Sequence, residues 1–327
     1  MSSDRAPPAN PLLLRSRVPA DAHHRPLHAW LCGRFPYLDD AGWRAELAAG
    51  RVFVDDRRGR ADDRLLRGQS VVWHKVQPEP FAECTMPVLH EDDAIIAIDK
   101  PAHLPMHADG PFVRHTVVQL LRERLHCATL DLVHRLDRET SGVVVLAKTK
   151  AAAKALLAQF AASKVAKNYV AVVLGHVAAD FTVDLPIGRS ANSSIALRRA
   201  AGPAARDARP ARTDCSVLQH GPAATLLRCV PHEGRTHQIR VHLEAAGHPV
   251  LGDKLYGRSD ADYLAFVQQV KQTHDARIVA SDRPNRQLLH AERLALEHPT
   301  RGGPVEFTAP IPAVFAEWLA RPATGTS

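Results

Sequence analysis

The sequence predicts an α+β protein in two unequal parts. Three observations carry that reading. Short β-branched runs alternate with segments of helical periodicity along most of the chain. A helix–helix–strand–turn–strand pattern fills residues 26–76. Gln77-Pro78-Glu79-Pro80 then opens a stiff, proline-bearing linker over residues 77–87. No internal recurrence at solenoid periods appears.

Taken in order, residues 1–25 are rich in Pro, Ala, Arg and His without periodicity and read as a flexible basic arm. Residues 26–35 predict a first helix with Leu27, Trp30 and Leu31 on one face. Asp39 or Asp40 offers an N-cap for a second helix running through Trp43 and Leu47 to Gly50. Val52-Phe53-Val54 makes a strand into an Asp55-Asp56 turn, and Ser70-Val71-Val72-Trp73 makes another. The larger domain spans residues 88–315, with 316–327 as a tail. Within it, strands are expected at 94–98, 168–174, 214–219, 225–230 and 288–296, and helices at 116–125, 150–162 and 260–273. Residues 190–212, rich in Arg and Ala, read as a mobile basic loop.

Subtracting 35 acidic from 42 basic residues leaves a net charge of +7, which favours a polyanionic partner such as nucleic acid. No run approaches the ~18 apolar residues of a membrane span, and residues 1–8 lack the apolar core of a secretory signal. Cys32, Cys84, Cys127, Cys215 and Cys229 are odd in number and contain no C-x-x-C pair. That argues against a disulfide framework and a cysteine-based zinc site, so a reducing cytoplasm is the expected location. The histidines show no metal-ligand spacing, and neither a dinucleotide fingerprint nor a P-loop is present.

The most informative stretch is His134-Arg135-Leu136-Asp137-Arg138-Glu139-Thr140-Ser141-Gly142. It lies between Leu130-Asp131-Leu132-Val133 and Val143-Val144-Val145-Leu146-Ala147, which read as buried strands. On composition alone it is an ordinary charged turn, although a polar loop between buried strands is also a common seat of chemistry. Around it stand Asp99-Lys100-Pro101 through His107, the strand holding Tyr169, and Gly234-Arg235-Thr236-His237-Gln238-Ile239-Arg240-Val241-His242-Leu243. The last run continues through Gly252-Asp253 to Tyr256-Gly257, and Leu288-Leu289-His290-Ala291 follows.

In this order, these segments closely resemble the RluA-type pseudouridine synthase family. The pattern over residues 26–76 resembles the small RNA-binding fold named after the fourth protein of the small ribosomal subunit. That second resemblance implies an αα-hairpin packed on short strands, with Arg34, Arg44 and Arg51 offered to RNA. The first implies a mixed, mainly antiparallel central sheet with flanking helices and an active-site cleft. It also implies isomerisation of uridine to pseudouridine with Asp137 as the catalytic carboxylate. The reaction breaks the C1′–N1 bond, turns the uracil and rejoins it through C5. An ionised carboxylate suits this as nucleophile or as base toward the ribose, and neither cofactor nor metal is called for.

By the same resemblance, Arg240 is the cation that keeps Asp137 ionised in a shielded site, with Arg235 as second candidate. Tyr169 stacks on the flipped uracil, against the alternative of a core tyrosine. Both are expected to approach Asp137 from distant strands. Arg135 fills the space the base vacates, or binds a phosphate. His134 orients the loop, and Thr140, Ser141 and Gly142 fix its turn. Arg138, Thr140, Arg235, His237 and Lys100 are further candidates for RNA contact. Glu139 is excluded from catalysis. The family usually carries glycine where His103 stands, so His103 is either strained or in contact with RNA.

The expected partner is structured RNA, large-subunit ribosomal RNA before transfer RNA, with no membrane or protein partner implied. Two rivals differ in chemistry. A glycoside hydrolase would pair Asp137 with Glu139 and release free uracil. A non-catalytic RNA-binding protein on the same scaffold would leave RNA unmodified.

Overall fold

The computed structural model describes residues 12–36, 38–76, 79, 82–108, 112–127, 129–273, 275, 277 and 283–322. They fall into two compact units divided between residues 78 and 79.

The smaller unit contains β1 (Leu12–Arg17), α1 (Leu27–Arg34), α2 (Asp40–Ala48), β2 (Val52–Val54), β3 (Arg57–Arg58) and β4 (Ser70–Lys75). Its sheet has the order β1-β4-β2-β3. Asp39 caps α2, its Oδ1 accepting the Gly42 N–H at 2.8 Å. Leu27, Trp30 and Leu31 face inward as expected and join Trp43 and Trp73 in the core. Asp55 and Asp56 both have positive φ, at 46° and 66°. That is the backbone of a tight hairpin turn, which short polar side chains tolerate. Arg51 is committed to Glu46 through two nitrogens at 2.6 and 2.8 Å, and Arg44 to Asp40 at 2.8 Å.

The larger unit contains strands β5 (Val88–Glu91), β6 (Ile95–Lys100), β7 (Asp131–Leu132), β8 (Ser141–Ala147), β9 (Ala166–Leu174), β10 (Phe181–Asp184), β11 (Ile187–Ser190), β12 (Arg199–Ala201), β13 (Ala205–Arg209), β14 (Arg212–His220), β15 (Ala224–Pro231), β16 (Leu289–Glu297) and β17 (Pro304–Thr308). Its helices are α3 (Val117–Leu125), α4 (Lys150–Ala161), α5 (Gln238–Ala245), α6 (Asp260–Thr273) and α7 (Val314–Leu319).

Among the described residues, the main sheet runs β10-β14-β15-β9-β16-β8-β6-β5, with β17 beside β16 and β7 beside β8. Its pairs are antiparallel except β8 with β16, where His290 faces Ser141 and Ala291 faces Gly142. The fold is therefore α+β with a mixed, mainly antiparallel central sheet. Every residue of β8 is buried. Val143 and Val145 pack beside Leu156 of α4, whereas Val144 and Leu146 pack beside Leu121 of α3. Apolar packing on both faces explains the continuous β-branched run. No described helix is long and apolar enough to cross a membrane.

Several expectations are corrected. The arm 1–25 is ordered from Leu12 onward, because β1 pairs with β4 from Leu12↔Lys75 to Arg17↔Ser70, and Val18 and Ala22 enter the core. Residues 1–11 lie outside the described residues. Leu13 and Leu14 both stay exposed, so β1 shows no inward–outward alternation and its order rests on backbone ladder bonds. Gln77, Pro78 and Pro80 of the linker lie outside the described residues. Glu79 accepts the N–H groups of Arg114 and His115, and Met86 is buried beside Ile96 and Ile98, so both residues belong to the larger unit.

The basic segment 190–212 is folded too. Strands β12-β11-β13 form a small antiparallel sheet in which Arg189, Arg206 and Arg209 are exposed and Arg199 is half-buried. Finally, the tail begins later than 316, since Phe315 and Leu319 of α7 are buried against β9 residues Val170 and Val172.

Candidate active site

The loop at 134–142 joins β7 to β8 and is fixed residue by residue. Thr140 N–H closes it onto the Asp137 carbonyl at 3.1 Å. Thr140 Oγ1 accepts from Gln287 Nε2 at 2.6 Å, and Ser141 Oγ meets Arg286 and His290 at 2.8 Å each. Gly142 has φ +110°, and a Cβ there would lie 2.2 Å from the Ala291 carbonyl oxygen, so glycine is required on two counts.

Glu139 is buried, paired with Lys254 at 2.7 Å and Arg138 at 3.2 Å, and it accepts the Gln287 N–H. Those partners occupy its oxygens, although it lines a cavity that Asp137 also lines. His134 Nε2 accepts the Val145 N–H at 2.9 Å, and its ring stacks on Phe160. Burial beside Lys167 pulls its pKa down to about 4.

Asp137 presents a side chain that is 24% exposed. Its Oδ2 accepts from Arg240 Nη1 at 2.7 Å. Arg240 is itself held by Asp253, through Nε to Oδ2 at 2.6 Å and Nη2 to Oδ1 at 2.9 Å. Asp253 is fully buried, and its Oδ1 also accepts the N–H groups of Leu255 and Tyr256. The guanidinium lies over the Tyr256 ring, 4.8 Å from its centroid.

The Tyr256 hydroxyl accepts the Arg199 N–H at 3.1 Å and meets His237 Nδ1 at 2.8 Å. If the hydroxyl gives its own proton to Nδ1, neutral His237 carries its proton on Nε2, which lies 3.9 Å from Asp137 Oδ1. Burial would raise the pKa of Asp137, but His237, Arg240 and Arg135 outweigh it and hold the carboxyl down at about 2. Burial also holds His237 to about 4. His237 is therefore neutral near pH 7, and Arg240 is the contacting cation that keeps Asp137 ionised there.

A cavity of about 400 Å³ opens on this carboxylate. Its walls include His134, Arg135, Asp137, Thr140, Tyr169, Arg235, His237 and Arg240, so eight of the sequence-predicted site residues share one space. Tyr169 is partly buried between two core clusters and also faces the cavity, so it serves both packing and the site. Arg235 lines the wall while its Nε donates to the Pro210 carbonyl. A second cavity of about 300 Å³ shares Arg135, Asp137, His237 and Arg240. Arg138, Lys254, Phe112, Tyr263 and Phe266 line its other side. Asp137 and Arg240 thus stand in a wall between two spaces.

Two calls are corrected. Arg240 is on helix α5 rather than a strand, while Tyr169 is on β9 as expected. Gln238-Ile239-Arg240-Val241-His242-Leu243 alternates polar and apolar residues, the period of a strand, yet all six are buried on α5. Lys100 is not available to RNA. It is completely buried, its Nζ donating to the carbonyls of Pro101, Leu104 and Arg138 at 2.7, 2.8 and 3.1 Å. His103 has φ +65°, is 7% exposed, and neither ring nitrogen has a partner among the described residues. It is a strained, buried residue rather than a surface contact.

Sequence reasoning missed Asp253 and Tyr256 as site residues. The available signal was an acidic residue placed directly after the apolar run Val250-Leu251-Gly252.

The sequence profile of the RNA pseudouridylate synthase family matches residues 94–245. A protein of Xanthomonas campestris named ribosomal large subunit pseudouridine synthase D is 33% identical over 95% of this chain and 93% of its own length. A protein of the same name from Nitrosomonas europaea is 39% identical over 78% of this chain and 70% of its own. Among solved structures, human RNA pseudouridylate synthase domain containing 4 superposes with a TM-score of 0.55 at 31% identity, covering 71% of this chain and 91% of that one. Human RNA pseudouridylate synthase domain containing 1 gives 0.56 at 28% identity, covering 71% and 86%. The carboxylate loop, the buried arginine helix and the sheet that joins them accordingly place the chain in the RNA pseudouridylate synthase family, enzymes that isomerise uridine within RNA.

Proposed function

We propose that this protein converts uridine to pseudouridine in large-subunit ribosomal RNA, with Asp137 as the catalytic carboxylate. One observation carries the reading: Asp137 is held ionised by Arg240 at the wall of a cavity that Tyr169 also lines. A uridine in a stem leaves its stack to enter, at a cost of a few kcal/mol. Tyr169 offers the uracil an aromatic face. Asp137 then acts on the ribose, either as nucleophile at C1′ or as base toward its neighbouring carbon, and both routes need the charged form. The C1′–N1 bond breaks, the uracil turns within the cavity, C1′–C5 forms, and the C5 proton is lost as N1 gains one. Arg135, exposed at the rim of both cavities, occupies the vacated stack or a phosphate.

Ribosomal RNA is favoured over transfer RNA because the relatives bear large-subunit names and the smaller unit has the helix pair and short strands of an RNA-binding module. Such an enzyme works in the cytoplasm. The test incubates wild type and Asp137→Ala with ribosomal and transfer RNA and maps pseudouridine. The expected result is modification of large-subunit RNA by wild type only. Modification confined to transfer RNA would overturn the substrate, release of free uracil would overturn isomerisation, and unchanged activity of Asp137→Ala would overturn the catalytic assignment.

A further inference from the structure

In the smaller unit, His28 and Cys32 lie one turn apart on α1, and Asp40 opens α2. Their side chains converge. His28 Nε2 is 3.5 Å from Cys32 Sγ, 3.4 Å from Asp40 Oδ1 and 3.4 Å from the Asp40 carbonyl oxygen. One ligand atom from each side chain falls within 4.8 Å of the other two.

We propose that these three side chains form a binding site for a divalent transition metal of the zinc class.

The distances are the first argument. Nε2 carries at most one proton, and its two oxygen neighbours at 3.4 Å lie beyond the ~2.7–3.2 Å of a good N–H···O bond, while 3.5 Å is ordinary for sulfur. The separations of Nε2 from Sγ and from Oδ1 match two edges of a different geometry. With metal–nitrogen and metal–oxygen bonds of ~2.0–2.2 Å and metal–sulfur bonds of ~2.3 Å, the edges of a tetrahedral site are about 3.3–3.6 Å.

The surroundings are the second argument. His28 is buried, so its ring is held by packing. Arg44 Nε donates to Asp40 Oδ2 at 2.8 Å, which orients the carboxylate and leaves Oδ1 directed at His28. Asp40 is 66% exposed at its side chain, so water can supply a fourth ligand. A mixed nitrogen, sulfur and oxygen set selects a borderline-soft ion and disfavours magnesium or calcium, which prefer oxygen alone. Binding displaces the Cys32 thiol proton to solvent, leaving thiolate on the metal.

A second histidine–carboxylate group, His90, Asp92 and His298, does not share these features. Its contacts are hydrogen bonds at 2.9 Å, Arg301 already pairs with Asp92, and His298 Nδ1 accepts the Arg301 N–H. That set is satisfied without an ion.

The proposed metal would link α1 to α2 and stiffen the helix pair of a unit with a small core. It has no part in the isomerisation, so it stands or falls independently of that reading. The test strips the full-length protein with a chelator and titrates it with cobalt(II), then zinc(II). Wild type should bind a single equivalent of cobalt with a thiolate-to-metal charge-transfer band and the intense visible bands of four-coordination, and zinc should abolish both. Cys32→Ser should remove the charge-transfer band, and Asp40→Asn, on the exposed first turn of α2, should weaken binding while leaving the fold intact by circular dichroism. Zinc should raise the unfolding temperature of wild type and not of Cys32→Ser. A wild type without the band, or a band that survives Cys32→Ser, would overturn the proposal.

Discussion

Asp253 takes two of the three guanidinium nitrogens of Arg240, at 2.6 and 2.9 Å, and leaves the third to Asp137. The pair is buried, so the arginine is aimed before any substrate arrives. An aimed, desolvated cation is worth more than a free one, because little reorganisation remains at the moment of reaction. Arg240→Met should therefore lower kcat on the order of 10²–10³-fold while leaving RNA affinity little changed. Asp253→Asn should give a smaller kcat loss in the same direction. Single-turnover rates beside filter-binding isotherms measure the split, and a near-wild-type Arg240→Met would refute the role.

Tyr169 is read as the stacking face for the uracil. Tyr169→Phe should retain that contact, whereas Tyr169→Leu should lose about 1–3 kcal/mol of it. Comparing kcat/KM for the two variants decides the matter. Equal activity in both would return Tyr169 to the core alone.

Glu139 neighbours Asp137 in sequence but belongs to the buried Lys254 pair. Glu139→Gln should destabilise the protein by about 3–5 kcal/mol, the usual cost of leaving a buried partner uncompensated. At a temperature where the variant is folded, kcat should stay near wild type. Loss of kcat with unchanged unfolding temperature would instead assign Glu139 to the chemistry.

Four shielded histidines make the larger unit sensitive to acid. Burial lowers His103, His134, His237 and His290 from the ordinary 6.5 to about 4. Above pH 6.5 they are neutral whether the chain is folded or not, and they contribute nothing to the pH dependence. Between pH 6.5 and 4 the unfolded chain binds protons that the native state refuses. Stability therefore falls with acid over that window, by up to about 1.4 kcal/mol per pH unit for each histidine. Asp137 contributes at lower pH, its stabilisation disappearing as pH falls from near 4 toward 2. Urea titrations at several pH values should show this slope. A pH-independent midpoint between 4 and 6.5 would contradict it.

His103 adds backbone strain to its buried, unpartnered ring. Glycine relieves a left-handed conformation worth about 1–2 kcal/mol and removes two unsatisfied nitrogens, against the loss of a packed ring. His103→Gly should raise the unfolding temperature, and a lower one would show that packing at this position outweighs the strain.

Local pattern marked the loop around Asp137 only as a charged turn between two apolar strands, and it was the resemblance of the longer motif that singled out the carboxylate. Strands β2, β4, β6 to β9 and β14 to β16 and most helices were legible through period and caps, whereas β3, β5, β10, β17, α5 and α7 were not. What escaped depends on distant backbone. Strand β1 and the arginine-rich β11–β13 sheet are ordered by ladder bonds, with side chains too exposed or too basic to show a period. Lys100 was a candidate RNA contact through the resemblance alone, and only the folded chain brings three carbonyls around it. Asp253 lies 13 positions from Arg240, and no periodicity links the two.

The seating of Lys100 has a mechanical consequence. One buried lysine nitrogen ties carbonyls of the 101–104 segment to that of Arg138, which braces the carboxylate loop. When a stiff loop meets a duplex, the distortion is borne by the RNA. On the proposed reading, uridines at junctions, bulges and helix ends should therefore be modified faster than the same uridines within a continuous duplex.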